Sequence, residues 1–286
     1  MRIAVCVKQI TDPALPVEFV PAQAGVATTE TSGAYCPNPA DRAALEEAIR
    51  IRQVNPSAEV TVVTLGPAES DYTVRYCLAR GADRAIHLLG EAPDAYTAAV
   101  VLGQVIKGLS PDLVLCGARS LDDATGQVPP TIAELLEIPQ VTGVIRLDLD
   151  IETMVATAWR RLERGKREVV ECSLPALIAV ESCINEPRYV SLHAMQRMSD
   201  RNVQRVDLLS LGGPGQPLTQ TVKVSPPRPR PKRVSTPDAS LSADERMALL
   251  FGGGQSQPKK SGGYLEGPVE TVVSEIMSFL QKEGLL

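Results

Sequence analysis

The sequence predicts an α/β protein built on a doubly wound, mostly parallel sheet, with antiparallel strands added at the sheet edge and an extended C-terminal arm carrying a helix. Three observations lead there. Continuous apolar runs of strand length alternate with segments of helical period through the first half of the 286-residue chain, the pattern of βαβ units covered on both faces. Apolar runs between 141 and 181 are joined by short polar turns such as ERGK at 163–166, which suits antiparallel neighbours. Beyond about residue 211, proline and glycine interrupt the chain until a last amphipathic stretch.

Taken in order, residues 3–7 (IAVCV) read as a central strand, because an unbroken apolar run fits a sheet buried on both sides. Residues 17–35 mix β-branched side chains with Gly25 and Gly33 and read as an excursion or hairpin. Asn38 and Pro39 open a helix, the first as an amide N-cap and the second at the first turn, with Ala44, Leu45, Ala48 and Ile49 on its apolar face. A second strand follows at 59–65, then a helix over 68–80 closed by Gly81, the residue type that a left-handed C′ position favours. The alternation continues with a strand at 84–89, a helix at 94–108, a strand at 113–116 and a helix at 130–138. Strands are expected near 141–149, 152–163, 167–172 and 176–181, added antiparallel at the sheet edge.

This divides the chain into an α/β domain, 1–210, and a tether with its arm, 211–286. The stretches at 212–217 and 225–233 carry too many prolines and glycines for regular structure. A short helix is expected over 240–251 and a flexible link over 252–263. In the final helix, Val269, Val272, Val273, Ile276, Phe279 and Leu280 share one face and Pro268 occupies the first turn. Such a helix on a tether either folds back on its own domain or docks on a second polypeptide. The basic cluster Arg228, Arg230, Lys232 and Arg233 reads as a solvated face or as a contact for an acidic partner.

Composition narrows the function. With 44% hydrophobic residues the chain can bury a full core, and a net charge of −5 argues against a general nucleic-acid binder. The N-terminus reads as lacking an export signal, and the apolar runs are too short to span a bilayer. Six cysteines without a C-x-x-C pair (Cys6, Cys36, Cys77, Cys116, Cys172, Cys183) read as reduced thiols of a cytoplasmic protein. His87, in an apolar run, and His193, in a short helix, do not make a metal site. His87 reads as a core or sheet-edge side chain.

The most informative segment runs from 117 to 130, GARSLDDATGQVPP, between an apolar strand and a helix. A strand, a small-residue loop and a helix start in that order can bring backbone N–H groups and a positive dipole end to a phosphate. It carries neither of the two common glycine-rich nucleotide signatures. From the pattern alone, a nucleotide cradle and an ordinary strand-to-helix turn both remain open.

Recognisable blocks go further. VCVKQ at 5–9, NPADRAALEEA at 38–48, GADR at 81–84, the 117–130 loop, LPALI at 174–178 and NEPRY at 185–189 together resemble the β subunit of electron transfer flavoproteins, including its FixA-like branch. The resemblance spans residues 1–200. It implies an adenine-nucleotide-binding sheet of the HUP-like kind and a heterodimer with an α subunit, whose mobile domain carries the electron-transferring FAD. The chain would then be an electron-carrier subunit serving acyl-CoA dehydrogenase-type flavoenzymes and, in bifurcating members, NADH with a quinone- or ferredoxin-linked acceptor. Carried over position by position, the nucleotide contacts are Cys6, Asn38, Pro39, Ala40, Asp41, Leu65, Gly117, Asp122, Asp123, Ala124, Thr125, Gly126 and Gln127.

The resemblance also bears on which nucleotide is bound. Gly117 and Thr125 are eight positions apart, the short spacing of the bifurcating and FixA-like type, which implies a second FAD in this chain, with AMP as the alternative. The chain departs from that type's pattern at Asp123, Ala124, Gly126 and Pro129, and these departures bear on hydride exchange with NADH. Residues 185–198 match a partner-recognition loop: Leu192 falls at the position of an inserting leucine, with Met195, Asn185, Glu186, Pro187, Arg188 and Tyr189 around it. Read without the resemblance, Leu192 and Met195 would be the inward face of a short helix. A stand-alone nucleotide-responsive protein of the universal-stress type is the alternative reading, but a self-contained sensor does not need the arm.

Overall fold

Among the described residues, nine strands form one sheet in the order β11-β10-β9-β12-β8-β1-β6-β7-β13. A computed structural model describes residues 1–15, 18–20, 28–30, 35–196, 203–213, 215–222, 242, 244 and 267–282. The strands are β1 Arg2–Cys6, β6 Glu59–Gly66, β7 Arg84–Leu89, β8 Leu113–Gly117, β9 Gln140–Asp150, β10 Val155–Arg161, β11 Arg167–Ser173, β12 Ala176–Val180 and β13 Val203–Asp207. Short ladders pair β2 Gln9–Thr11 with β5 Tyr35–Pro37, and β3 Glu18–Val20 with β4 Thr28–Glu30, both antiparallel. The excursion expected before residue 35 therefore does pair as hairpins where it is described.

The continuous apolar runs became central strands for the reason anticipated. Along β1, Ile3 and Val5 face one core while Ala4 and Cys6 face the other. The first core is packed by α1 Pro39–Val54 and α2 Asp71–Arg80, the second by α3 Ala95–Leu109 and α4 Val128–Leu136. Helices on both faces make the sheet doubly wound. The helix expected over 68–80 begins as a 3-10 turn, Ala68–Ser70, and ends at Gly81 with φ +121°, so the glycine supplies a conformation that a side chain would resist.

Two expectations are corrected. The strand expected at 176–181 is not an antiparallel edge strand: β12 lies between β8 and β9, parallel to both. All five of its residues are buried, so its unbroken apolar run reflects a central position. Among the described strands of this sheet, β9, β10 and β11 alone form the antiparallel edge. Asn38 occupies the N-cap of α1 but makes no side-chain cap, because its amide is used across the sheet, as described below. β13 was not anticipated; it pairs in parallel with β7 at the opposite edge.

Two units are distinguished, Met1–Pro226 and Pro227–Leu286. In the first, the Pro/Gly-rich stretch after 211 is tied to the domain where Leu218 and Thr219 N–H donate to Asp94 Oδ2 at 2.8 and 2.9 Å. In the second, the final helix is α6, Val269–Lys282. The helix expected over 240–251, the link over 252–263 and the basic cluster at 228–233 lie outside the described residues, apart from Ser242 and Asp244. Among the described residues no helix is long and apolar enough to cross a membrane.

Candidate functional site

The C-terminal ends of β1, β6 and β8 open into a crevice of about 540 Å³, within the range of small-molecule and cofactor pockets. Its floor is stapled by one side chain. Asp41, in the first turn of α1 and buried, accepts from Lys8 N–H through Oδ2 at 2.9 Å and from Gly117 N–H through Oδ1 at 2.8 Å. A single carboxylate thus ties the ends of β1 and β8 to the start of α1. Burial pushes its pKa up to about 6, although the two N–H donors pull the other way.

Gly117 is required by close approach. A Cβ there would sit 2.4 Å from Asp41 Oδ1 and 2.7 Å from Ala40 Cβ. Asn38 spans the same corner: its N–H donates to the Lys8 carbonyl at 2.9 Å, and its Nδ2 donates to the Arg119 carbonyl at 3.1 Å. Among the described residues its buried Oδ1 has no hydrogen-bond partner. A buried acceptor without a donor costs about 1–3 kcal/mol, and this one lies on a residue lining the crevice.

The 117–127 loop forms the opposite wall. Lys8 Nζ lies 2.8 Å from Asp122 and 3.0 Å from Asp123, and Ser120 Oγ donates to Asp123. Burial disfavours the charge on Lys8, but the two carboxylates outweigh it and raise its pKa. Burial likewise opposes the charge on Asp123, yet Ser120 and Lys8 hold it below the usual range. Ala124 and Gly126 take the left-handed backbone, φ +51° and +63°, turning the chain into α4.

Two helix starts face this region and differ in availability. The N-terminus of α3 is closed by its own cap, Asp94, which accepts from Thr97 N–H at 2.9 Å. Among the described residues the start of α4 has no side-chain cap, so its dipole is open to an anion. Pro129 and Pro130 remove two donors there, which leaves the dipole and the preceding loop as the attraction. Lys8 is matched by carboxylates, while Arg119, exposed at the rim, forms no ion pair among the described residues. The arrangement suits an elongated, phosphorylated ligand with a polar edge to donate to Asn38 Oδ1.

The residues carried over from the sequence distribute as follows. Cys6, Asn38, Asp41, Leu65 and Gly117 line the inner crevice. Asp122, Asp123, Thr125 and Gly126 line its loop side. Pro39, Ala40, Ala124 and Gln127 stand in the same two segments but do not line the crevice. Burial, with Asp41 nearby, pushes the Cys6 thiol up to about 12, which leaves it a protonated wall residue. Lys8, Arg119 and the 90–95 segment also line the crevice and were not singled out. Lys8, directly after the first strand's apolar run, carried a signal that could have found it. His87 is buried with Nε2 3.2 Å from the Pro67 carbonyl. Among the described residues no group of His, Cys, Asp and Glu could hold a metal ion.

The second candidate site lies on α1's outer side. Asn185 and Arg188 are engaged with α1, Tyr189 is fully exposed, and Leu192 opens the five-residue α5, Leu192–Gln196, at 74% exposure. The side chain of Met195 lies outside the described residues.

A model of the electron transfer flavoprotein domain matches residues 26–211. The chain is 34% identical over 216 residues to the electron transfer flavoprotein subunit beta of Methylophilus methylotrophus, covering 74% of this chain and 81% of that one. It is 29% identical over 277 residues to the namesake subunit of Dictyostelium discoideum, covering 96% and 97%. Over 196 residues it is 39% identical to the caffeyl-CoA reductase-Etf complex subunit CarD of Acetobacterium woodii, covering 67% and 72%. The chain therefore belongs to the electron transfer flavoprotein family, as a β subunit.

Proposed function

We propose that this chain holds an adenine nucleotide in the crevice of β1, β6 and β8 and works as one half of a heterodimer with an α subunit. The observation that carries the reading is the meeting of the 117–127 loop with Asn38 and Asp41, where a buried acceptor lacks a donor and a glycine keeps the floor low. The nucleotide is read as FAD in preference to AMP. The short loop supports this, as does a crevice that continues past Leu65 to Gly90 and Ala95. A bound flavin supplies one- and two-electron chemistry. Asn38, Gly117 and residues 122–127 would hold its nucleotide portion, and Cys6 and Leu65 would wall it from the core.

In this reading electrons arrive from a dehydrogenase acting on acyl-CoA substrates and leave to a quinone- or ferredoxin-linked acceptor, with NADH as a further donor. The relative named as a subunit of a caffeyl-CoA reductase-Etf complex supports a partner of that kind. Tyr189 and Leu192 form the dehydrogenase contact, since an exposed apolar pair is the sort of anchor a small interface uses. α6, whose Val273, Ile276 and Phe279 are exposed, docks on the α subunit.

Co-expression with an α-subunit gene from the same genome tests the reading. The expected product is a yellow 1:1 complex that an acyl-CoA dehydrogenase reduces in the presence of acyl-CoA. A colourless homodimer that binds ATP would overturn it.

A further inference from the structure

Away from the crevice, a polar latch fastens residues 185–188 to α1. Glu46, in the middle of that helix, is 2% exposed yet closely paired with the guanidinium groups of Arg80 and Arg188, with Arg50 Nε at a looser 3.8 Å from Oε1. Arg80, fully buried at the end of α2, brings Nη2 within 2.5 Å of Oε2 and also donates to the Tyr76 hydroxyl at 2.8 Å. Arg188 donates Nε to Oε1 at 2.9 Å, sets Nη2 2.8 Å from the same oxygen and donates its backbone N–H to Oε2 at 3.2 Å. On the same helix, Asn185 Nδ2 donates to the Ala43 carbonyl, one turn before Glu46, at 3.0 Å and to Oε2 of the adjoining Glu47 at 2.9 Å.

The two arginines do different work. Arg80 is a buried cation and needs Glu46 as its counter-charge wherever the loop goes. A single guanidinium already balances that carboxylate, so Arg188 is not required for neutrality. What Arg188 adds is geometry: a planar fork and a backbone N–H on one buried acceptor fix both the position and the direction of the chain. The next residue is the fully exposed Tyr189, and Ser191 Oγ accepts from Ala194 N–H at 3.1 Å to start α5 at Leu192. Two apolar side chains thus leave the surface from a chain pinned immediately before them. A loop ordered in advance avoids the entropic cost of being fixed on docking.

We propose that Arg188, held by Glu46, is a positioning residue that presents Tyr189 and Leu192 to the apolar pocket of a partner flavoprotein. The proposal rests on the docking role given above to Leu192. It is tested with the heterodimer and the acyl-CoA dehydrogenase that reduces the wild type fastest among those of the same genome. Arg188→Gln is expected to raise the KM for the heterodimer about tenfold, the scale of an ordering cost near 1.4 kcal/mol, with kcat, flavin content and dithionite reduction unchanged. Amide exchange over 189–196 rises in the same variant. Arg188→Lys, which keeps the charge without the fork, recovers part of the loss and serves as the test variant if Arg188→Gln does not fold. In a Leu192→Ala background, Arg188→Gln adds less than about twofold, because both act through one contact.

If Leu192→Ala raises KM and Arg188→Gln does not, the latch is refuted and the docking role stands. A full tenfold effect of Arg188→Gln on top of Leu192→Ala would also refute positioning, since Arg188 would then act independently. If Leu192→Ala leaves KM unchanged, the docking role and this proposal fall together.

Discussion

Replacing Gly117 with alanine adds one methyl group at the point where β8 meets α1. The new Cβ would lie 2.4 Å from Asp41 Oδ1, 2.7 Å from Ala40 Cβ and 3.0 Å from Asp41 N. Asp41 cannot retreat, because it is buried and each of its oxygens already accepts a backbone N–H. Ala40 belongs to the helix itself. Either β8 and α1 separate, an overpacking cost of about 1–3 kcal/mol, or Asp41 gives way and Gly117 N–H loses its acceptor, at a similar cost of about 1–3 kcal/mol. For a domain of this size either loss lowers Tm by about 2–12 °C. Scanning calorimetry of the heterodimer, with released nucleotide measured on the same sample, is the assay. Gly108→Ala, near the end of α3 with nothing within 4 Å of the new Cβ, is the control and gains about 0.5–1 kcal/mol. Gly117→Ala melting within about 2 °C of the wild type with its nucleotide retained would refute the staple, since a shift that small is below 1 kcal/mol.

Asp41 also predicts a pH dependence. Its folded pKa of about 6 lies above the ordinary 3.8, so between those values the native state binds more protons than the unfolded chain. Its contribution therefore grows as pH falls from 6 towards 4 and is lost as pH rises through 6, up to about 3 kcal/mol. Glu46, Asp71 and Asp123 are held low and oppose this only at lower pH. Asp41→Asn should flatten the dependence of Tm between pH 5 and 7; an unchanged slope would remove Asp41 as its source. Lys8→Met leaves Asp122 and Asp123 without their counter-ion and should speed nucleotide release while costing less than about 1 kcal/mol of stability, as expected of half-exposed pairs. Stopped-flow release at the wild-type rate would count against that role. Removing residues 260–286 should weaken heterodimer formation measured by sedimentation, and undiminished affinity would favour an arm that folds back on its own chain.

The helices and most strands were legible because their signals are local: apolar period, flanking glycine or proline, and length. The position of β12 was not, since ALIAV at 176–180 reads the same whether it joins an edge or separates β8 from β9. β13 was invisible for a related reason, its five residues being partly polar and paired on one side only. At the crevice, the 117–127 loop was legible as a candidate cradle from its place between strand and helix, whereas the NPAD segment read as a helix start and entered the site only through the family resemblance. The use of Asn38 for Arg119 instead of its own helix start could not be read, because the partners are 81 residues apart. The Glu46 to Arg188 link spans 142 residues and was hidden in the same way. Ion pairs between distant segments leave no periodic trace in a sequence.

The proposed function requires the crevice between β1, β6 and β8 to carry the chain's own nucleotide. Acid release of bound cofactors from the purified heterodimer, with FAD and AMP quantified against protein, measures this. Two FAD per heterodimer are expected, one of which is lost in Gly117→Ala. A single FAD with no AMP, unchanged in that variant, would refute it.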